Sequence, residues 1–519
     1  MARETESTSA THALGVKAAK GTLIYTAGNI IGSLAVLLLL VILARLLNPS
    51  AFGLYAIAIA FYNILASHYI FGVILRKELP NEEKDRKKAS ELIVNCYFVA
   101  LLIALIIAVA AILSSGYIAV SIYHNPSLAA PLSLAGALVF MYVLFNILLA
   151  TLIAVDRVKE GTIMYLIYAF VQLFASTALV LMGHGIMGAI AGLGVSLVVA
   201  SAIGLYWVRG YLRRGIAGIS RSVMDHILKF SAPVLTSSIA TQAPPNLAIL
   251  LLAAFATTAI VGNYNAAYRF GNFINVILLS MSYVLMPAFS KAFSDKKLSS
   301  RIGHIYNSSI YYTLLVLLPL LVYVVSVSKP LLYLLFSSEY TLAPLYFSLI
   351  AIGSAIGMLN TYASNLQVSY GDTKLFMYYQ LLAVVIQVAL LFALTPTFGA
   401  MGAIFALFII SQILINIVYM YALRRQFHVE HSFSQIWRLV IPSVLLLCLL
   451  YPLACFLHNS RWALAVNLVA IVLLFPILAA LFGGVRRKNV DFLREIAKSL
   501  RIGMIAEYPI RLAELFVRS

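Results

Sequence analysis

One arginine in this sequence sits where an arginine is hard to keep. Arg269, in TTAIVGNYNAAYRFGNFIN (257–275), falls nine residues into an apolar run that opens near residue 260. At 1.5 Å per residue of helix that is roughly 14 Å into hydrocarbon. A guanidinium keeps its proton and carries five N–H donors, so at that depth it needs water, a partner or a ligand. Carboxylate partners are missing, because none of the 18 acidic residues lies in the middle of an apolar run. Asp156 and Asp372 sit at corresponding inner ends of two runs and read as turn caps. What remains for Arg269 is carbonyls, water or an anion, and its planar fork suits bidentate phosphate contact. The residue therefore reads either as a substrate contact or as a packing or gating element between helices.

Other polar positions are weaker candidates. Arg76 closes one apolar run at its inner mouth and Arg45 closes another near the outer mouth, both within reach of ordinary snorkelling. His68 lies in the inner half of an apolar run, where it can bond a neighbouring helix or a substrate. TQAPPNL (241–247) places Pro244–Pro245 inside a run, which should kink or open the helix and bare carbonyls near Gln242 and Asn246, the pair of prolines acting as a hinge. No paired carboxylates, Gly-rich phosphate loop or metal-ligand set occurs, so the sequence predicts neither an enzyme nor a cofactor or metal site.

The elements that must position these residues are membrane helices. The 519 residues are 62% hydrophobic and 10% charged, with mean hydropathy +0.97, against roughly 25% charged for a soluble chain. Continuous apolar runs of about 20 residues recur from Thr22 to Phe482, and their continuity excludes a β-barrel. They read as about fourteen transmembrane helices in an all-α integral membrane protein. The net charge is +18, but of 36 Lys and Arg only Arg45, Lys329, Arg461 and the intramembrane Arg269 lie away from one side. That is a positive-inside bias; it places both termini in the cytoplasm and makes nucleic acid a poor partner. Cys96, Cys448 and Cys455 all fall in apolar runs and read as unpaired core residues.

The chain repeats itself. AFGLYAIAIAF (51–61) aligns with IVGNYNAAYRF (260–270) at an offset of 209, and GIMGAI (185–190) with GAMGAI (399–404) at 214. Six spans precede the second copy, so the copies share an orientation about an axis along the membrane normal. The organisation expected is a cytoplasmic N-terminus (1–21), a first lobe of spans 1–6 (22–208), a basic amphipathic linker (209–228), a second lobe of spans 7–12 (229–424), spans 13–14 (436–483) and an amphipathic cytoplasmic tail (484–519). Linker and tail fit helices at an anionic inner leaflet of membrane lipids.

The stretch GTLIYTAGNIIGSLAVLLLLVILARLLNPSAFGLYAIAIAF resembles the opening of polysaccharide-biosynthesis membrane proteins, the O-antigen and teichoic-acid type flippases. The shared pattern is A-R-x-L, a proline turn and F-G-x-Y, here Ala44, Arg45, Leu47, Pro49, Phe52, Gly53 and Tyr55, with VGNYNAAYRF (261–270) as its second-half counterpart and Arg269 on the family's arginine. The resemblance extends over residues 15 to 425. It implies membership of the multidrug/oligosaccharidyl-lipid/polysaccharide exporter superfamily: two six-helix lobes in a V around a central cationic cavity, plus two extra helices. It also implies outward movement of an oligosaccharide linked to a polyprenyl-phosphate carrier across the plasma membrane, by a monomer working beside glycosyltransferases of the same pathway. On that reading Arg269, with Arg76 or Arg45, collects the pyrophosphate, and Gln242, Asn246 and Asn29 meet sugar hydroxyls. An ion-coupled multidrug antiporter of the same fold is the main alternative, disfavoured by the missing intramembrane carboxylates. A membrane glycosyltransferase or polymerase is a second alternative, disfavoured by short outer connections.

Overall fold

The structure is a computed structural model that describes residues 2–67, 71–81, 85–215, 220–294, 302–429, 433–457 and 460–485, with 494 and 514. Every described element is helical. In order they are α1 (Ala2–Leu46), α2 (Pro49–Ala66), α3 (Phe71–Glu78), α4 (Arg86–Tyr117), α5 (Ala129–Ala154), α6 (Val158–Leu179), α7 (Gly185–Gly215), α8 (Arg221–Phe255), α9 (Thr258–Ser294), α10 (Ile302–Ser326), α11 (Ser328–Leu335), α12 (Ala343–Tyr370), α13 (Thr373–Ile404), α14 (Ser411–Phe427), α15 (Phe433–Phe456) and α16 (Arg461–Leu481). The lipid solvent explains the restriction, since only a helix satisfies its own backbone within one segment.

Among the described residues, ten helical stretches are long and apolar enough to cross a membrane. Two of them, Val158–Leu212 and Lys374–Phe427, run for 55 and 54 residues, more than twice the ~20 that hydrocarbon requires. Each holds two crossings joined at a glycine turn. The remaining two of the expected fourteen are α8 and α9, of which only Gln242–Phe255 counts, as a shorter apolar helix.

Those turns carry the repeat into the backbone. Gly185 has φ 51° and ψ −131°, and Gly399 has φ 55° and ψ −132°. An L side chain is strained there, so glycine is required at both sites. The N-terminal ends of the first pair of matched segments also meet. A Cβ on Gly53 would overlap the Thr258 carbonyl, and one on Gly262 would overlap the Pro49 carbonyl. Since Thr258 is the counterpart of Pro49, the contact is reciprocal, as a local two-fold axis requires. Ser50 and Thr258 add a hydroxyl–hydroxyl bond of 2.5 Å.

By packing, the chain divides into a first unit, Met1–Gly262, and a second, Asn263–Ser519. The packing boundary thus falls inside α9, and α8 packs with the first unit against α2, α3 and α4. Residues 209–215 continue α7 and residues 221–228 begin α8, so the basic connection forms the ends of two long helices. The expected amphipathic tail lies outside the described residues apart from Gly484, Val485, Arg494 and Glu514.

Three expectations need correction. The second expected span (52–75) is described as two helices, α2 and α3: α2 ends at Ala66, where the Ser67 N–H and hydroxyl both bond the Ile64 carbonyl at 3.3 and 2.6 Å. That tightens the last turn and stops the helix. Of the kink or opening expected at Pro244–Pro245, the opening is absent, because α8 runs helical from Arg221 to Phe255. Two of the three cysteines are not in the core. Cys96 is buried, while Cys448 and Cys455 are exposed on α15.

Candidate functional site

Arg269 lies eleven residues into α9, about 17 Å from its N-terminal end at 1.5 Å per residue. Asn263 fixes that end: its Oδ1 accepts from the Leu342 and Ala343 N–H groups, each at 3.0 Å, and so caps α12 alongside α9. One turn before the arginine, Tyr264 stacks on Tyr268 at 6.2 Å and 4°. Tyr268 in turn meets Phe408 at 6.1 Å. On the other side Phe270 packs against Phe336 and Phe347 at 6.3 and 5.6 Å. Arg269 itself is half-buried between these two aromatic-bearing neighbours on α9. Its Nε is buried and has no hydrogen-bond partner. Arg269 takes part in none of the ion pairs among the described residues. A buried donor on a permanent cation is a costly group to leave unmatched. In the first copy of the repeat the same position is Ala60, fully buried.

Beyond Arg269, α12 and the helices facing it carry amides. Between α13 and α14 the chain makes a π-helical turn over Phe405–Ile410, and turns of that kind leave carbonyls for side chains to claim. Ser411 Oγ and Gln412 Nε2 both bond the Leu407 carbonyl, at 2.9 and 3.1 Å. Asn360 Nδ2 donates to Gln412 Oε1 at 2.7 Å, and Asn416 Nδ2 to the Ile356 carbonyl at 3.0 Å. Asn360 Oδ1, Ser354 Oγ, Asn365 Nδ2 and both polar atoms of Gln367 are buried without partners.

The first unit holds the other named residues but does not gather them. Arg45 is exposed in the last turn of α1, and Arg76 is exposed in the last turn of α3. Those are opposite ends of their spans, so the two do not converge. Asn246 is satisfied: its Oδ1 accepts from Asn63 Nδ2 at 3.2 Å and its Nδ2 donates to the Gln242 carbonyl at 2.9 Å. The Gln242 side chain is exposed. Asn29 Nδ2 donates to the Tyr25 carbonyl of its own helix at 2.8 Å. His68 lies outside the described residues. Asp372 caps α13 by accepting from the Leu375 N–H at 3.1 Å, the bland role expected of it.

Two features were missed. The first unit carries a tyrosine cluster, with Tyr62 and Tyr142 edge-to-face at 5.2 Å and Tyr165 and Tyr168 at 6.1 Å. The amides of α12 and α14 are the second. A mid-span asparagine or glutamine is itself the available signal, since such groups in apolar helices bind across helices or line sites.

Among solved structures, the chain is similar to the lipid II flippase MurJ in an inward closed conformation, with TM-score 0.72 at 14% identity over 89% of this chain and 98% of that one. It is also similar to an inward-facing multidrug resistance MATE family transporter of the MOP superfamily, with TM-score 0.65 at 15% identity over 78% and 98%. At those identities the likeness establishes the fold. The succinoglycan biosynthesis transport protein ExoT of Rhizobium meliloti (strain 1021) is 25% identical over 316 residues, which is 61% of this chain and 62% of that protein. A family model described as polysaccharide biosynthesis protein matches residues 42–344, more than half of the sequence. The chain is therefore an all-α, multi-pass membrane protein with a MOP-type transporter fold, and it belongs to the polysaccharide biosynthesis protein family.

Proposed function

We propose that this protein is a flippase that moves a lipid-(pyro)phosphate-linked oligosaccharide from the inner to the outer leaflet by alternating access, with both termini in the cytoplasm. The observation that carries the reading is the buried, unpartnered Nε of Arg269 in a member of a polysaccharide biosynthesis family. A phosphate satisfies two guanidinium donors at once and neutralises the charge where water is scarce. Inorganic cations and cationic drugs are poor matches, since they would meet a fixed positive charge with no carboxylate to offset it. The transport role of ExoT and the substrate named for MurJ support the same direction. Arg45 and Arg76, exposed at the two ends of their spans, suit capture and release of an anion at either surface rather than a joint binding site.

The test is reconstitution of the purified protein in liposomes with a fluorescent polyprenyl-diphosphate oligosaccharide. The expected result is protein-dependent transfer of the lipid between leaflets. Efflux of a cationic dye under a sodium or proton gradient, with no lipid movement, overturns the proposal in favour of an antiporter.

A further inference from the structure

Helix α12 shows more unmatched polar groups than its own folding explains. On α12 four side chains, Ser354, Asn360, Asn365 and Gln367, leave polar atoms buried without partners. Ser354 is 5% exposed and Gln367 is 0% exposed. Groups of this kind in hydrocarbon either find partners in neighbouring helices or wait for a ligand. Gln412 explains how one of them is held. Its Oε1 takes the Asn360 amide N–H, and its own Nε2 is anchored on the Leu407 carbonyl that the π-helical turn leaves open. With Nδ2 fixed in this way, Asn360 Oδ1 is left as a pre-set acceptor. The glycine at 357 keeps Gln412 close, since a Cβ there would stand 3.1 Å from Oε1.

Register places this set relative to Arg269. Helices α9 and α12 begin side by side, where Asn263 caps Leu342 and Ala343. A Cβ on Gly271 would touch Ile350 at 2.7 Å, so the two helices keep step. Arg269 is then level with about residue 348, and Ser354 and Asn360 lie about 9 and about 18 Å further in at 1.5 Å per residue. We infer that Ser354 and Asn360, with Gln412 as the positioning residue, form a neutral subsite for sugar hydroxyls inward of the Arg269 phosphate position. An uncharged donor–acceptor set is what saccharide hydroxyls match, because each hydroxyl both gives and takes one hydrogen bond. The inference rests on the flippase reading and adds to it the part of the substrate that the amides recognise.

Binding to the detergent-purified full chain, measured with two probes, decides it: a fluorescent polyprenyl diphosphate bearing an oligosaccharide, and the same carrier without sugar. Wild type should prefer the sugar-bearing lipid by about tenfold or more, the scale of one or two hydrogen bonds to a neutral group. N360L and Q412L should erase that preference while binding the sugar-free carrier as wild type does. S354A should reduce the preference by a few-fold and, being a minimal change, guards against misfolding of the larger variants. Arg269→Ala should weaken both probes equally. Equal wild-type affinity for the two probes overturns the sugar subsite and leaves the phosphate reading standing. Amide variants that weaken both probes alike assign these residues to packing and overturn the subsite too. A wild type that binds neither probe overturns this inference and the flippase reading together.

Discussion

Helices α5 and α12 occupy the same place in the two copies of the repeat, yet their polar side chains are treated differently. In α5, Asn146 donates to the Tyr142 carbonyl at 2.9 Å, and Thr151 is shared between the Ile147 carbonyl and the Tyr97 hydroxyl at 2.7 and 3.0 Å. None of its buried side-chain polar atoms is without a partner among the described residues. In α12 the residue at the same 214-residue offset, Asn360, is bonded on one side only, and three neighbours on the helix are unmatched. The first unit also keeps an alanine where the second has Arg269. The same place in a duplicated scaffold thus holds, in α5, an amide spent on its own helix and, in α12, one bonded on a single side with unmatched neighbours. Satisfied groups hold helices together, while open ones lower stability unless something else fills them. On our proposal the second unit is the one that holds the polar part of the substrate.

The largest effect should come from the contact that makes the halves comparable at all. Gly53→Val and Gly262→Val each push a side chain into a backbone carbonyl, and each should lower stability by about 3 kcal/mol through overpacking. Thermal unfolding in detergent reads this, and markedly unequal losses would break the two-fold equivalence. Next, Asn246→Leu strips Asn63 of its acceptor in the first unit and should cost about 2 kcal/mol. A neutral result would remove the contrast with the second unit. The smallest effect has the opposite sign. Gln367→Leu replaces an amide that bonds nothing and should raise stability by about 1 kcal/mol. A loss on that substitution would mean the amide has a partner in the membrane and that the second unit is not open there.

Much of this comparison could be read from residue types. The glycine turns at Gly185 and Gly399 share a conformation because the motif around them is repeated, and the offset alone locates both. Arg269 is visible because a lone charge in an apolar run has few explanations. The facing of the helices is another matter. In a membrane the lipid side and the packed side of a helix are both apolar, so Cys448 and Cys455 carry no mark that separates a lipid-facing site from a core one. Local breakers mislead for a related reason. Pro244 and Pro245 cannot donate to the carbonyls four residues before them, yet α8 continues, since neighbouring groups in a bundle can take up freed carbonyls. Ser67 ends α2 with no proline at all, by competing for the Ile64 carbonyl. The amide set of α12 and α14 depends on a π-helical turn, which shifts side-chain register by one residue and leaves no compositional trace.

The central claim is that Arg269 holds the phosphate of a lipid-linked substrate. It is tested most directly by initial rates of leaflet transfer in liposomes for wild type, Arg269→Lys and Arg269→Ala, each at matched protein density. The expected result is a loss of at least tenfold for alanine, on the scale of one charged hydrogen-bonded contact. Lysine should be intermediate, because it keeps the charge but not the bidentate fork. Wild-type rates in both variants would contradict it.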